Sequence, residues 1–284
     1  MIKDITLGQF FPGDSFLHRL DPRMKIMLSM LFIMMIFTAT SVASLLFVTL
    51  LTFLLPLVGK IGAKTVMGAI KPLRWVILIM LVLFLFNGAG EGYRILWEWQ
   101  LGFLHLVLSV EGIIKALAVS LRIVLLVVSV SVILSYTTSP IALADGIEAL
   151  LQPLTYLRVP VHDFAMMITI AMRFIPILIE ETDKIMSAQA ARGADFTTGS
   201  LVKRAKALIP VFIPLFVSSV RHADNLATAM ECRLYHGGNN RTRMRSLTYT
   251  ARDLCALLLM GLLLLAVAIL TNEVTFGYLG FHYV

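Results

Sequence analysis

From Ile26 to Val58 the chain is almost unbroken hydrocarbon. A spanning helix needs about 20 apolar residues, so this run is too long for one helix and somewhat short for two. The small, hydroxyl-rich cluster Thr38-Ala39-Thr40-Ser41 sits at its midpoint and predicts a tight helical hairpin turning there. Further apolar runs cover Pro72 to Gly90, Ile113 to Ser135 and Leu254 to Leu270. Between the first and second of these lies a looser segment with Tyr93, Trp97 and Trp99, aromatic residues that favour the membrane–water interface. Five spanning helices are expected.

The stretch 136–253 differs, being too charged to span and too apolar for a solvated loop. Phe164, Met167, Ile168, Ala171, Phe174, Ile175, Leu178, Ile185 and Gln189 recur at three- and four-residue steps, the period of an amphipathic helix. Pro176 marks a position where it can bend. Leu201, Ala205, Leu208, Phe212, Leu215, Ser219, Ala223, Leu226 and Met230 form a second, longer series containing Pro210 and Pro214. A shorter helix is expected from Ile141 to Leu151, before Pro153. None of the three is apolar all round, which places them beside or beneath the membrane. The expected fold class is therefore an all-α integral membrane protein of about five transmembrane helices plus a cytoplasmic region of long amphipathic helices. Its divisions are 1–135, 136–253 and 254–284.

Composition agrees. Of 284 residues, 58% are hydrophobic and 14% charged, against about 25% charged in soluble domains, and the mean hydropathy is +0.87. The net charge of +7 is confined to a few segments, which excludes a general basic surface for nucleic acid. Four Lys or Arg precede the first span (Lys3, Arg19, Arg23, Lys25) and four occupy the connection 59–74 (Lys60, Lys64, Lys71, Arg74). Thirteen lie in 136–253, whereas the hairpin turn and the 271–284 tail have none and the 87–112 loop has only Arg94. Alternate connections are thus basic, and the positive-inside rule puts the N-terminus in the cytoplasm and the C-terminus outside. No cleavable signal is expected at the N-terminus. Cys232 and Cys255 are far apart and match neither a disulfide framework nor a zinc site.

Catalytic patterns are missing from the sequence. It has no GxxxxGK[ST] nucleotide loop and no HExxH, and no GxSxG elbow. Glu180 and Glu181, with Asp183 and Lys184, read as a solvated helix face. Asp21-Pro22 reads as an N-cap followed by proline at the first helical position. Arg122 is an intramembrane charge, which is either functional or paired inside the subunit.

Two segments echo each other at an offset of 41 residues: Ser187-Ala188-Gln189-Ala190-Ala191-Arg192-Gly193 and Thr228-Ala229-Met230-Glu231-Cys232-Arg233-Leu234. Each carries an arginine at the end of an amphipathic helix. A guanidinium pairs bidentately with carboxylates and stays charged, so two such tips suit two similar acidic grooves. An ordinary cation favoured at a helix C-terminus by the macrodipole is the alternative.

With the N-terminal Gly8-Gln9-Phe10-Phe11-Pro12-Gly13-Asp14-Ser15 and His18-Arg19-Leu20-Asp21-Pro22-Arg23-Met24-Lys25, these motifs carry a resemblance. Tyr235-His236-Gly237-Gly238 and Arg241-Thr242 extend it. The chain resembles the transmembrane T component of energy-coupling factor (ECF) transporters, the vitamin-uptake branch of ABC importers, from residue 8 to the last helix.

That resemblance implies a bacterial or archaeal plasma-membrane subunit without catalytic activity or cofactor, ATP and Mg being bound by partner ATPases. It implies two ATPase subunits contacted through Ala191, Arg192 and Gly193 and through Cys232, Arg233 and Leu234. Cys232 stands where the family often has alanine, a small-for-small change. It also implies a small membrane subunit that binds the vitamin. The expected surface for that subunit is the apolar faces carrying Phe164, Met167, Ala171, Phe212, Leu215 and Ser219. A conventional ABC permease that binds substrate itself would need more polar residues at mid-membrane than Arg122 and small hydroxyls. A membrane-embedded lipid-modifying enzyme would need a better acidic or histidine cluster.

Overall fold

A computed structural model describes residues 11–86, 95–101, 104–157, 160–196, 200–235, 237 and 247–276. Gly8–Phe10, Tyr93, His236, Gly238, Arg241 and Thr242 lie outside the described residues. The chain divides into two compact units, one containing Ile147–Ser246 and the other Gly8–Gly146 with Leu247–Val284.

In the second of these units the apolar runs become helices. α1 spans Pro22–Thr38 and α2 Val42–Gly59, so the first run is two helices with the turn at the small-residue cluster. Asp21 caps α1 as Asp-Pro predicts, its carboxylate accepting the Arg23 N–H at 2.9 Å. Beyond the turn, the Ser41 N–H donates to the Ser44 hydroxyl at 3.1 Å. α2 ends at Lys60, whose left-handed φ of 52° redirects the chain. The eight-residue α3 (Ala63–Ile70), a 3-10 turn (Lys71–Leu73) and α4 (Arg74–Phe86) then run directly into one another.

One expectation fails between the next two helices. The aromatic segment read as loose is an antiparallel hairpin, β1 (Ile95–Leu101) paired with β2 (Leu104–Ser109), with Trp99 opposite Leu106. Pairing the two short strands satisfies their backbone groups with each other. Ser109 closes β2 and caps the next helix, its hydroxyl accepting the Gly112 N–H at 3.0 Å. That helix, α5 (Val110–Val130), runs on as a π-helical turn, Ser131–Ser135. The last helix, α9, covers Ala251–Phe276.

Phe32, Met35 and Ile36 of α1, Val48 of α2, Leu125 and Val128 of α5, Val132 of the π turn, and Met260 and Val267 of α9 form the core. Elsewhere these helices turn hydrocarbon outward, for example at Leu46, Phe53, Leu57, Leu78, Leu258 and Leu262. Exposed apolar side chains on this scale match a lipid solvent.

α6 (Pro140–Leu151) and a 3-10 segment (Gln152–Leu157) lead to two long helices, α7 (Val161–Ala191) and α8 (Leu201–Cys232). α6 packs tightly at Gly146, where an added Cβ would sit 3.1 Å from Pro22 Cβ and 3.2 Å from the Pro22 carbonyl carbon. Pro176 lies within α7, and Pro210 and Pro214 within α8, without interrupting either helix.

Six helical stretches among the described residues are long and apolar enough to cross a membrane: Val42–Gly59, Ala63–Leu85, Gly112–Ser135, Val161–Ala191, Val202–Cys232 and Ala251–Thr271. The set is not the five expected from the sequence, because α1 has only 17 residues and α7 and α8 qualify by length and composition.

Candidate functional site

α7 and α8 pack in opposite directions. Phe174 meets His222 at 6.2 Å between ring centroids, while the later Glu181 accepts a hydrogen bond from the earlier Ser218 hydroxyl at 3.4 Å. An apolar crevice of about 300 Å³ lies between them, lined on α7 by Ile170, Phe174 and Leu178 and on α8 by Ser219, Ala223, Leu226, Ala227 and Met230. The amphipathic periodicities therefore set the middle of α7 against the C-terminal half of α8. The C-terminal end of α7 and the N-terminal half of α8 extend beyond this contact. At 1.5 Å per residue, Arg192 stands roughly 15 Å beyond Glu181 and Arg233 roughly 5 Å beyond Met230, in opposite directions.

Those two ends are built alike. Arg192 is the C-cap of α7; the Gly193 N–H donates to the Ala190 carbonyl at 3.0 Å and the Ala194 N–H to the Gln189 carbonyl at 3.0 Å. Arg233 is the C-cap of α8; the Leu234 N–H donates to the Glu231 carbonyl at 2.8 Å and the Tyr235 N–H to the Met230 carbonyl at 3.0 Å. Both are Schellman motifs, so the sequence echo is a structural echo. The motif requires a left-handed residue after the cap. Gly193 supplies it with φ 88° at no steric cost, whereas Leu234 takes φ 56° with a side chain, a conformation costing roughly 1–2 kcal/mol. Ala191, Arg192, Gly193, Cys232, Arg233 and Leu234 are all exposed. Each guanidinium sits at the negative end of its own helix dipole.

On the long helices, Phe164, Met167 and Ala171 of α7 and Phe212 of α8 are exposed. Leu215 and Ser219 are half-buried, and Ser219 lines the crevice against α7. The six do not form one uniform outward face, because the α8 series turns from solvent towards α7 along its length. Glu180 and Lys184 are exposed and Glu181 and Asp183 half-buried. Near the start of α7, His162 Nδ1 lies 3.0 Å from Glu148 Oε1. Among the described residues no group of three His, Cys, Asp or Glu is placed to hold a metal ion. Cys232 and Cys255 are free and exposed.

Arg122, in the middle of α5, is paired within the subunit. Its Nη2 donates to the carbonyl of Ala39, the C-cap of α1, at 2.8 Å. A cation at that point compensates the negative end of the α1 dipole, and Thr271 of α9 donates to the neighbouring Thr38 carbonyl at 3.3 Å. The guanidinium thus ties α5 to the turn of the α1–α2 hairpin.

Sequence reasoning missed a second polar centre at the opposite end of α1. Lys25 is buried, and its ammonium donates to the Thr137 carbonyl at 2.8 Å and the His18 carbonyl at 3.2 Å. Asp253 of α9 accepts the Asp21 N–H at 2.9 Å through one oxygen and the Thr250 N–H at 2.8 Å through the other. The N-terminal segment, α1, the end of α5 and the start of α9 are tied together there. Around it, the Phe11 N–H donates to the Tyr136 carbonyl at 3.1 Å and the Tyr136 hydroxyl to the Thr65 carbonyl at 3.1 Å. Thr250-Ala-Arg-Asp253 before an apolar run has the form of a capping box, a signal that pointed to Asp253. Nothing local in the sequence marks Lys25 as buried.

Comparison with known proteins bears on what this arrangement serves. The family described as cobalt transport protein matches residues 13–244. The chain is 47% identical over 270 residues to the energy-coupling factor transporter transmembrane protein EcfT of Clostridium kluyveri, covering 94% of this chain and 98% of that one. It is 46% identical over 279 residues to that of Acidaminococcus fermentans, covering 98% and 99%. To that of Bacillus subtilis it is 40% identical over 253 residues, covering 89% and 93%.

Proposed function

The chain belongs to the family of energy-coupling factor transporter transmembrane proteins, and from that premise we propose that it is the non-catalytic coupling subunit linking two ATPases to a small substrate-binding membrane subunit. The observation that carries this reading is the pair of matched Schellman caps, each presenting an exposed arginine, at opposite ends of an antiparallel helix pair. Two similar motors each need an equivalent handle, and the handles must be far enough apart for both to be gripped at once.

The same geometry favours one placement of α7 and α8. If an antiparallel pair crossed the bilayer, Arg192 and Arg233 would emerge on opposite faces, where ATPases of one compartment could not hold both. Lying along the cytoplasmic surface, both tips face the same compartment. The thirteen cations of 136–253 and the positive-inside rule support that placement, with the N-terminus inside and the C-terminus outside.

In this mechanism ATP binding and hydrolysis draw the two ATPases together and apart. Each guanidinium sits in an acidic groove of one ATPase and moves with it. α7 and α8, packed where the middle of α7 meets the C-terminal half of α8, convert that movement into a change of crossing geometry, a rigid-body transition. A substrate-binding subunit seated on the exposed apolar residues, Phe164, Met167, Ala171 and Phe212, would be moved by it. Leu215 and Ser219 would set the shape of that surface from within.

The test is the Arg192→Ala, Arg233→Ala double variant, co-expressed with its neighbouring genes. Loss of both ATPases on purification, or ATP hydrolysis no longer tied to uptake, is the expected result. Intact assembly with unchanged uptake would refute the assignment. Each single variant should retain one ATPase contact and lose coupled transport.

A further inference from the structure

We propose that the connection between α2 and α4 is a binding surface for the headgroup of an anionic phospholipid. Between Asp21 and Glu91 the chain contains no Asp or Glu and six Lys or Arg. Two of the six are engaged internally: Lys25 by backbone carbonyls and Arg23 by Tyr249, whose hydroxyl lies 3.3 Å from its Nη1. The other four, Lys60, Lys64, Lys71 and Arg74, are exposed, and no ion pair engages them among the described residues.

Their arrangement is set by the helices that carry them. α3, the 3-10 turn and α4 run end to end, so residues 64, 67, 71 and 74 recur at three- and four-residue steps along one side. Val66, Ala69 and Ile70 lie on the other side and pack on the core. The Tyr136 hydroxyl holds α3 down through the Thr65 carbonyl. Lys64, Met67, Lys71 and Arg74 are thereby turned outward on a fixed support, with Lys60 just before them.

The helix that continues from these cations selects lipid over an acidic protein. The Arg74 guanidinium lies 5.6 Å from the ring centroid of Trp75, which is exposed. Beyond Trp75, α4 presents Val76, Leu78, Ile79, Val82 and Leu83 outward, and no residue in the span Ala63–Leu85 is buried. A row of cations, an aromatic residue and then an uncovered hydrocarbon helix repeat the layers of one leaflet: phosphate, interface and acyl chain. An acidic protein surface would match the cations and leave the outward apolar face of α4 below them uncovered.

The leaflet rests on the orientation proposed above; the headgroup preference does not. Purified full-length chain in detergent is titrated with phosphatidylglycerol and, separately, with phosphatidylcholine of the same acyl chains, and bound lipid is counted by native mass spectrometry. Phosphatidylglycerol should bind in preference. Lys64→Gln or Lys71→Gln alone should weaken it about fivefold, and all four to Gln by more than about a hundredfold. The arginine-conserving variant K60R/K64R/K71R should keep the preference, and K203Q/K206Q on α8 should leave it unchanged. Since the four residues are exposed, the variants should elute as monodisperse protein; if the fourfold variant does not, the two single variants carry the test. Equal binding of the two lipids, or an unchanged titration in the glutamine variants, would overturn the proposal, as would an acidic protein that copurifies through these cations and is not displaced by phosphatidylglycerol. Labelling a Lys64→Cys variant in intact cells reads orientation separately, so failure of the topology and failure of the lipid site are distinguishable.

Discussion

Replacing Lys25 with methionine tests whether the polar centre at the base of α1 holds the membrane unit together. Methionine keeps most of the side-chain volume, so the perturbation is chiefly the loss of the ammonium group. Two buried carbonyls, of His18 and Thr137, lose their donor, and a buried group left without a partner costs about 1–3 kcal/mol. Asp21 and Asp253 lose a nearby cation but keep the N–H groups of Arg23, Asp21 and Thr250, which limits their share. With Lys25 only 2% exposed, solvent cannot substitute. Removing the ammonium also relieves the cost of burying it, which offsets part of that loss and leaves roughly 2–4 kcal/mol, a large part of the 5–15 kcal/mol by which proteins are stable. For a chain of this size, each kcal/mol shifts the melting temperature by about 2–4 °C, so a fall of roughly 5–15 °C is expected. Heating the detergent-solubilised chain and measuring the monodisperse fraction by size-exclusion chromatography gives the shift. Asp253→Asn should fall between wild type and Lys25→Met, and the double variant should cost less than the sum because the sites share one network. A Lys25→Met protein melting within about 2 °C of wild type would refute the reasoning.

Single contacts elsewhere give further expected outcomes. Gly193→Ala places a side chain at φ 88° with nothing within 4 Å of the new Cβ; its cost of about 1 kcal/mol is purely backbone and should weaken ATPase copurification more than thermal stability. Gly146→Val forces a branched side chain against the Pro22 and Arg23 backbone and should destabilise by about 1–3 kcal/mol, read by the same melting assay. Arg122→Met removes the hydrogen bond to the Ala39 carbonyl and also relieves the partial desolvation of a half-buried charge. The two effects oppose, so the melting temperature should move by no more than a few degrees with transport retained. Lost transport at unchanged stability would assign Arg122 a functional role.

Hydrophobic patterning alone located most of this architecture. Apolar runs of spanning length are one-dimensional signals, and α1, α2, α5 and α9 lie where those runs predicted, down to the turn at Ala39–Ser41 and the Asp21 cap. The 3.6-residue period of α7 and α8 and the repeat around Arg192 and Arg233 were equally legible, because both are local. The β1–β2 hairpin was not, since interfacial aromatic residues report a position in the membrane rather than a backbone conformation. Nor could the sequence say that Leu234 takes a left-handed conformation, which the Schellman cap imposes on whatever residue comes after Arg233. The direction of the arginine tips was decided only in three dimensions. Two helices each ending in arginine are compatible with tips side by side or far apart, and the antiparallel packing of Phe174 on His222 and Glu181 on Ser218 separates them. The same holds for the buried Lys25: its partners lie on His18, seven residues away, and Thr137, 112 residues away, and a lysine is read as exposed until the fold brings acceptors to it.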